Sequence, residues 1–359
     1  MLDFQELLGR IESSGASDLL LTVGAAPQFR VQGDLRPLAG DDALDVTDVD
    51  ALVGQILRPY QKESFEETKS LDFSMGYEGQ ARYRIHLYKQ RGSTAMAVRA
   101  IPFDVPSFEE LGLPSVVQDF AALRHGLVLI TGPAGTGKST TLAAIIDHIN
   151  RNRQAHIICI EDPIEYLHPH RLSTVDQREV PSDTPSFSDA LRNVFRESPD
   201  VIMVGEMRDL ETISLVLTLA ETGHLILATL HTHEAIHAIS RIVDSFPSEQ
   251  QQQVYMQLSM VLEGVVTQQL VPVNEGNRRL LACEVMLPNN AIRNLIRERQ
   301  LQQIYSVLQT GSSEGMTTMN ESLRQIYELG FIDYETAMNR SPRPKDLMNL
   351  LRGSVAAVA

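Results

Sequence analysis

The chain has 359 residues, 43% of them hydrophobic and 21% charged, and its 31 Lys and Arg against 46 Asp and Glu leave a net charge of −15. That length exceeds what one hydrophobic core usually serves, so two domains are expected, and the acidic balance argues against a protein that coats nucleic acid with a basic surface. No apolar run nears the roughly 18 residues of a membrane span, and Met1-Leu-Asp-Phe-Gln-Glu6 lacks the basic and apolar regions of a signal peptide, which predicts a cytoplasmic protein.

Residues 1–100 read as a small α+β domain. An amphipathic start (Leu2, Phe4, Leu7, Leu8, Ile11) precedes strand-like Asp18–Val23 and Pro27–Gly33, and a helix is expected over Val46–Leu57. The last two runs, Ala81–Tyr88 and Ser93–Ile101, alternate so that Arg82 and Arg84 share one face and Tyr83 and Ile85 the other. Residues 101–114, with prolines at 102, 106 and 114, read as a linker.

From 115 to 359 a nucleotide-binding domain is expected. Apolar Leu127-Val-Leu-Ile-Thr131 leads into Gly132-Pro-Ala-Gly-Thr-Gly-Lys-Ser-Thr-Thr141, which fits G-x-x-x-x-G-K-[ST], and Leu142–Ile149 then has helical spacing. Glycines let such a loop turn its N–H groups and the positive helix end toward phosphate oxygens, so Gly132, Pro133, Ala134, Gly135, Thr136, Gly137, Lys138, Ser139 and Thr140 are the candidate nucleotide-binding residues. Lys138 would reach the β and γ phosphates of ATP, and the Ser139 hydroxyl would hold Mg²⁺.

Strands then alternate with helices: His156–Ile160, a helix near Phe187–Arg196, Val201–Val204, a helix over Leu210–Glu221, and Leu225–Leu230, which predicts a largely parallel sheet. Cys159 lies inside one of these strands as a small core residue, and with Cys283 the only other cysteine, no structural zinc site is spelled out. Beyond the sheet the chain reads as helical: one helix after Pro247 with Val254, Leu258, Val261, Leu262 and Val265 on one stripe, then segments at 289–299, 300–309, 317–329 and 343–351, with Gly353–Ala359 frayed.

Three strand ends carry reactive groups. Glu206, after Val201–Val204, is placed to order Mg²⁺ and its water; Glu161 and Glu165 follow His156–Ile160 on the face where parallel sheets bind ligands. His224 and His231 flank Leu225–Leu230, and an imidazole at the second position can sense a γ phosphate.

The order of Gly132–Thr141, Glu161-Asp-Pro-Ile-Glu-Tyr166, Val204-Gly-Glu-Met-Arg-Asp-Leu-Glu-Thr-Ile213 and Glu221–Thr232 resembles the Walker A, Asp box, Walker B and His box of the secretion-superfamily ATPases. Within that superfamily Ala291-Ile-Arg-Asn-Leu-Ile-Arg-Glu298 is similar to the AIRNLIRE motif of PilT-type type IV pilus retraction ATPases. The resemblance implies a PAS-like N-terminal domain, a RecA-like ATPase domain with C-terminal helices, and a homohexameric ring that spends ATP on retraction. It makes Glu206 the Walker B carboxylate, Glu165 the catalytic base and His224 and His231 the His-box pair, with Arg82, Arg84 and Arg99 completing a neighbour's site in trans. It also implies a peripheral position at the inner-membrane face, with a platform protein and the pilus machinery as partners, and assigns the AIRNLIRE helix to retraction rather than hydrolysis.

The departures are modest. Ala134, Thr136 and Ala228 exchange one small residue for another, Leu20 replaces a usual His, and Tyr255 and Glu263, read as part of the helix after Pro247, stand where related motors often carry arginine. Other readings are a pilus-extension or type II secretion motor, which typically has a longer N-terminal region and a four-cysteine zinc motif, or an accessory ring subunit that binds nucleotide without turnover. A nucleic-acid translocase fits poorly, because no basic, aromatic-rich stretch is present.

Overall fold

The computed structural model describes residues 2–358 apart from 32, 39–41, 78–80, 102–103 and 275–277. Parts of the expected linker (102–103), of the second expected strand (32) and the last residue of the tail (359) therefore lie outside the described residues. Two compact units divide the chain: residues 1–104 with 165–167, and residues 105–164 with 168–359.

The first unit opens with α1 (Phe4–Ser14), which Asp3 caps by accepting from the Gln5 N–H and Gly15 ends at φ 64; its Phe4, Leu7, Leu8 and Ile11 are buried. The strands β1 (Asp18–Thr22), β2 (Gln28–Val31) and β3 (Asp34–Pro37) precede α2 (Val46–Ile56) and α3 (Pro59–Thr68), followed by β4 (Ser70–Tyr77), β5 (Ala81–Gln90) and β6 (Ser93–Ile101). They form an antiparallel sheet in the order β3-β2-β1-β6-β5-β4. On β5 the expected alternation holds: Tyr83, Ile85 and Leu87 are fully buried, leaving Arg82 and Arg84 on the opposite face. The helix α3 and strand β4 have no counterpart in the sequence reading.

The second unit is built on β7 (Gly126–Thr131), β8 (His156–Glu161), β9 (Thr174–Glu179), β10 (Val201–Val204) and β11 (Leu225–Leu230), continued by β12 (Leu262–Pro272) and β13 (Arg279–Met286). The order is β13-β12-β7-β11-β10-β8-β9, parallel throughout except for β13. Its helices are α4 (Ser115–Asp119), α5 (Lys138–Asn152), α6 (Phe187–Val194), α7 (Leu210–Glu221), α8 (Ala235–Asp244) and α9 (Ser248–Val261), then α10 (Asn290–Arg297), α11 (Ile304–Thr310), α12 (Met319–Glu328), α13 (Tyr334–Arg340) and α14 (Pro344–Val358). Both sheet faces are covered: Leu127 and Leu129 enter a core shared with α7, α8 and α9, while Val128 and Ile130 enter another with α5. A strand buried on both faces reads as a continuous apolar run, which is how β7, β10 and β11 were recognisable. Phe108 and Leu113, in the stretch read as a linker, are buried in the second of these cores.

The helical reading of the chain after Pro247 is corrected. The helix stops at Val261, and Leu262 to Pro272 is β12, paired parallel to β7, so Leu262, Glu263 and Val265 are strand residues. The apolar positions straddle the junction at helical spacing, and period alone cannot separate a helix end from a buried strand. Gly264 lies in β12 against the Phe120 ring, which leaves no room for a Cβ. The tail expected to fray continues as helix to Val358.

Candidate functional site

The parallel strands β7, β10 and β11 end side by side, and each delivers one reactive side chain at its carboxyl end. After β7 the loop Gly132–Gly137 turns into α5, with positive φ at Gly132 (141), Gly135 (75) and Gly137 (87). Gly132 has a second constraint: a Cβ would run into the Gln268 main-chain oxygen and come within 2.8 Å of Thr136 Oγ1. Thr136 Oγ1 closes the loop by donating to Pro133 O at 2.9 Å.

Lys138, at the first position of α5, is buried and donates through Nζ to the carbonyl oxygens of Gly132 and Pro133, both at 2.9 Å. Burial lowers its pKa, against the opposing charge of Glu206. Gln268 on β12 braces the same turn from the side, donating through Nε2 to Thr141 Oγ1 at 2.7 Å, and Thr267 meets Thr131 hydroxyl to hydroxyl at 2.8 Å. Neither brace is legible in the sequence, where the helical pattern runs past the start of β12 to Val265 and no element is expected at Thr267 and Gln268.

His231, just past β11, ties the loop to the next strand. Its Nδ1 lies 3.3 Å from Lys138 Nζ and its Nε2 lies 3.0 Å from Glu206 Oε1. Both contacts are satisfied when the ring is neutral and carries its proton on Nε2, which then donates to the carboxylate. The other carboxylate oxygen of Glu206 accepts from Arg208 Nε at 2.8 Å, and Arg208 Nη1 stands 3.5 Å from Asp162 Oδ2. A line of groups, Lys138, His231, Glu206, Arg208 and Asp162, therefore crosses the strand ends. Lys138, His231 and Glu206 were expected together; Arg208 and Asp162 were not, although both stand inside the quoted motifs.

Glu161 ends β8, is buried, and accepts from Gln177 Nε2 at 3.0 Å. Ser139 is exposed and Thr140 half-buried at the start of α5. Glu165 is exposed and counts with Tyr166 and Leu167 in the first compact unit, so the second unit by itself carries Lys138, His231 and Glu206 but not Glu165. His224 stands at the opposite end of β11 from His231, roughly 20 Å of strand away. There its Nδ1 lies 3.1 Å from Leu219 O and its ring stands edge-on to Phe195. The two histidines bracket one strand and do not meet in this chain.

In the first unit Arg84 and Arg99 are direct cross-strand partners, and Arg82 follows two residues along on the same face. Arg99 Nε donates to Asp18 Oδ1 at 2.8 Å and Arg84 Nε to Asp72 Oδ1 at 3.4 Å. Burial pushes the Asp18 carboxyl up, but hydrogen bonds from Arg99 and Ser17 and the charges of Arg99 and Arg30 outweigh it and hold Asp18 below the usual range.

A family model described as "Type II/IV secretion system protein" matches residues 106–340. The chain is 45% identical over 345 residues to the type IV pilus retraction ATPase PilT of Pseudomonas aeruginosa, covering 96% of this chain and 100% of that one. The chain belongs to the type II/IV secretion ATPase family, as a PilT-type member. It is also 43% identical to a twitching motility protein of Neisseria gonorrhoeae, over 89% of this chain and 86% of that one. A crystal structure of the pilus retraction motor PilT with bound ADP superposes with a TM-score of 0.91 at 47% identity, over 97% of this chain and 100% of the other.

In this PilT-type chain the AIRNLIRE stretch forms α10, capped by Asn289 accepting from the Ile292 N–H, with Ile292 and Ile296 buried. Ala291, Asn294 and Arg297 are exposed. Arg293 is turned inward: Nη1 donates to the carbonyl oxygens of Ser259 and Met260 at 3.1 Å each, and Nη2 to both carboxylate oxygens of Glu263 at 3.0 Å. The helix thus fixes the junction of α9 and β12. Among the described residues no helix is long and apolar enough to cross a membrane, and no group of three or more His, Cys, Asp or Glu is placed to hold a metal.

Proposed function

We propose that this chain is an ATP-hydrolysing motor subunit that powers type IV pilus retraction, working as a homohexameric ring. The observation that carries the reading is the convergence of Lys138, His231 and Glu206 beside a loop that only glycine can close at 132. Lys138, resting on loop carbonyls, has short-range alternatives that a phosphate can replace. His231 links the lysine to the carboxylate, so a change at the phosphate end alters the hydrogen bonding of Glu206. The nine residues Gly132 to Thr140 cradle the nucleotide, and Glu165 acts as the base that orients and deprotonates the attacking water.

The Ser139 hydroxyl and the Glu206 carboxylate are hard oxygen donors, one in the first turn of α5 and one at a strand end, which suits Mg²⁺ as the partner of ATP. Held there, Mg²⁺ would supply positive charge that offsets the negative charge of the phosphates. Arg82, Arg84 and Arg99 share one sheet face and serve the site of the adjacent subunit, with Asp18 and Asp72 holding two of them. His224, at the far end of β11, acts away from the phosphates of its own subunit. A trans arginine of this kind is worth about 10³–10⁵ in rate. The ring works at the cytoplasmic side of the inner membrane against a platform protein and the base of the pilus, without binding nucleic acid.

A pilus-extension motor, a type II secretion motor or a nucleotide-binding ring subunit with little turnover are the competing readings. Complementation decides among them: in a piliated cell lacking its retraction motor, the wild-type chain restores retraction of individual pili and Lys138→Ala does not. Retraction with both, or with neither when both are expressed, overturns the assignment.

A further inference from the structure

The four residues after His231 lead away from the phosphate loop, and the last two of them, Glu234 and Ala235, are fastened to Arg343, just ahead of α14, and to Glu284 on β13. Glu234 Oε2 accepts from two nitrogens of Arg343, Nε at 3.2 Å and Nη2 at 3.1 Å. Arg343 immediately precedes α14 and caps it: its carbonyl oxygen accepts the N–H groups of Asp346 and Leu347, both at 3.1 Å. Its guanidinium also lies 3.7 Å from the centroid of the Tyr305 ring on α11. A planar cation held on one side by an aromatic face and on its edge by a carboxylate has little freedom left to turn.

The neighbouring residue is held by a different acid. Ala235, the first residue of α8, donates its N–H to Glu284 Oε1 at 2.8 Å, and Met319, the first residue of α12, donates to Glu284 Oε2 at 3.4 Å. Glu284 is 1% exposed on β13, so one buried carboxylate satisfies orphan donors of two separate helices. Burial pushes its pKa up to about 7, opposed by the two backbone donors and Arg343 and reinforced by the charge of Glu234. Between these anchors and the nucleotide loop stands Thr232, buried, with its hydroxyl unpartnered.

We propose that Arg343 and Glu284 are positioning residues for ATP hydrolysis: through Glu234 and Ala235 they fix the segment that presents His231, and so transmit displacement of α12 and α14 to the Lys138–His231–Glu206 line. Neither residue touches the candidate nucleotide loop. The C-terminal helices are thereby a control element for turnover as well as a packing layer. This rests on the reading of that line as the hydrolytic site.

The test uses the purified full-length protein, with steady-state ATP turnover, binding of a fluorescent ADP analogue and thermal midpoint measured on the same samples. Arg343→Met is expected to lower kcat by about five-fold or more while the ADP analogue binds within about two-fold of wild type. Arg343→Lys, which keeps the charge, recovers most of the loss. Glu234→Gln, close to isosteric, gives the same fall, and the double variant with Arg343→Met is no worse than either single one, because both remove one interaction. Folded variants with unchanged kcat overturn the proposal, as does a loss of kcat that tracks the thermal midpoint and is not recovered by lysine. Lys138→Ala is the separate control: wild-type turnover that survives it overturns the functional reading itself.

Discussion

Arg293 and Glu263 form a forked ion pair in which one guanidinium nitrogen reaches both carboxylate oxygens at 3.0 Å, while the second nitrogen closes the end of α9. Glu263, which stands where related motors often carry arginine, is thus satisfied inside its own chain. Both side chains are about three-quarters removed from solvent, at 22% and 23% exposure, so the pair is worth more than a surface bridge. Arg293→Ala leaves a carboxylate and two carbonyl oxygens unpaired and is expected to cost about 1–3 kcal/mol in urea unfolding.

Arg297 lies four residues on and is exposed, with Asn294 Oδ1 at 3.4 Å. Arg297→Ala is expected to change stability by no more than about 0.5 kcal/mol and to spare most ATP turnover of the purified protein. Retraction in cells is expected to be lost. Equal loss of turnover and retraction would make α10 a packing helix only.

Glu206 accepts from His231 and Arg208 at once, so replacing it removes a charge that the line from Lys138 to Asp162 depends on. Glu206→Gln is expected to bind ATP nearly as well as wild type and to hydrolyse it at least about 100-fold more slowly. Unchanged steady-state turnover would remove Glu206 from the chemistry.

Gly132→Ala tests the loop itself. The added methyl group has nowhere to go beside Gln268 and Thr136, and φ at 141 is unfavourable for any L side chain. The expected outcome is a folded sheet without nucleotide response: ADP raises the thermal midpoint of the wild type and leaves that of the variant unmoved. A normal ADP shift in the variant would contradict the close packing of the loop on β12.

Glu284 contributes a pH dependence of its own to stability. Its folded pKa of about 7 lies above the ordinary 4.5, so between those values the folded state binds more protons than the unfolded chain. Its contribution to stability therefore falls as pH rises from 4.5 to about 7 and is constant above. Glu234 and Arg343 are the charged groups that act on it, and because the buried His168, held down to about 4, contributes with the opposite sign, Glu284→Gln is expected to shift the slope of the urea midpoint against pH toward more positive values over that range. An identical slope in both proteins would place the titration elsewhere.

What could be read in advance followed from how completely each element is buried. β7, β10 and β11, apolar on both faces, and the loop with its G-x-x-x-x-G-K-S spacing of Gly132, Gly137, Lys138 and Ser139 announce themselves. β12 did not, because Leu258, Val261, Leu262 and Val265 keep a helical period across a helix-to-strand junction. With β12 went Gln268 and Thr267, the braces of the loop. Arg343 and Glu284 were equally invisible: one charged residue before a proline and one acid within a strand look ordinary until Glu234 and Ala235 come to lie against them.

Thr131 and Thr267, whose hydroxyls meet beside the loop, are 136 residues apart in the chain. On a ribosome, at about 5–20 residues per second, that separation is roughly 7–27 s. For that interval β7 has an open edge where β12 will lie, and the Gly132–Gly137 turn lacks the backbone it closes against. Nascent chains in this window need their apolar edge shielded from one another. A message truncated before residue 262 would yield the complete G-x-x-x-x-G-K-S signature on a polypeptide that lacks Thr267 and Gln268, the braces that hold it from β12.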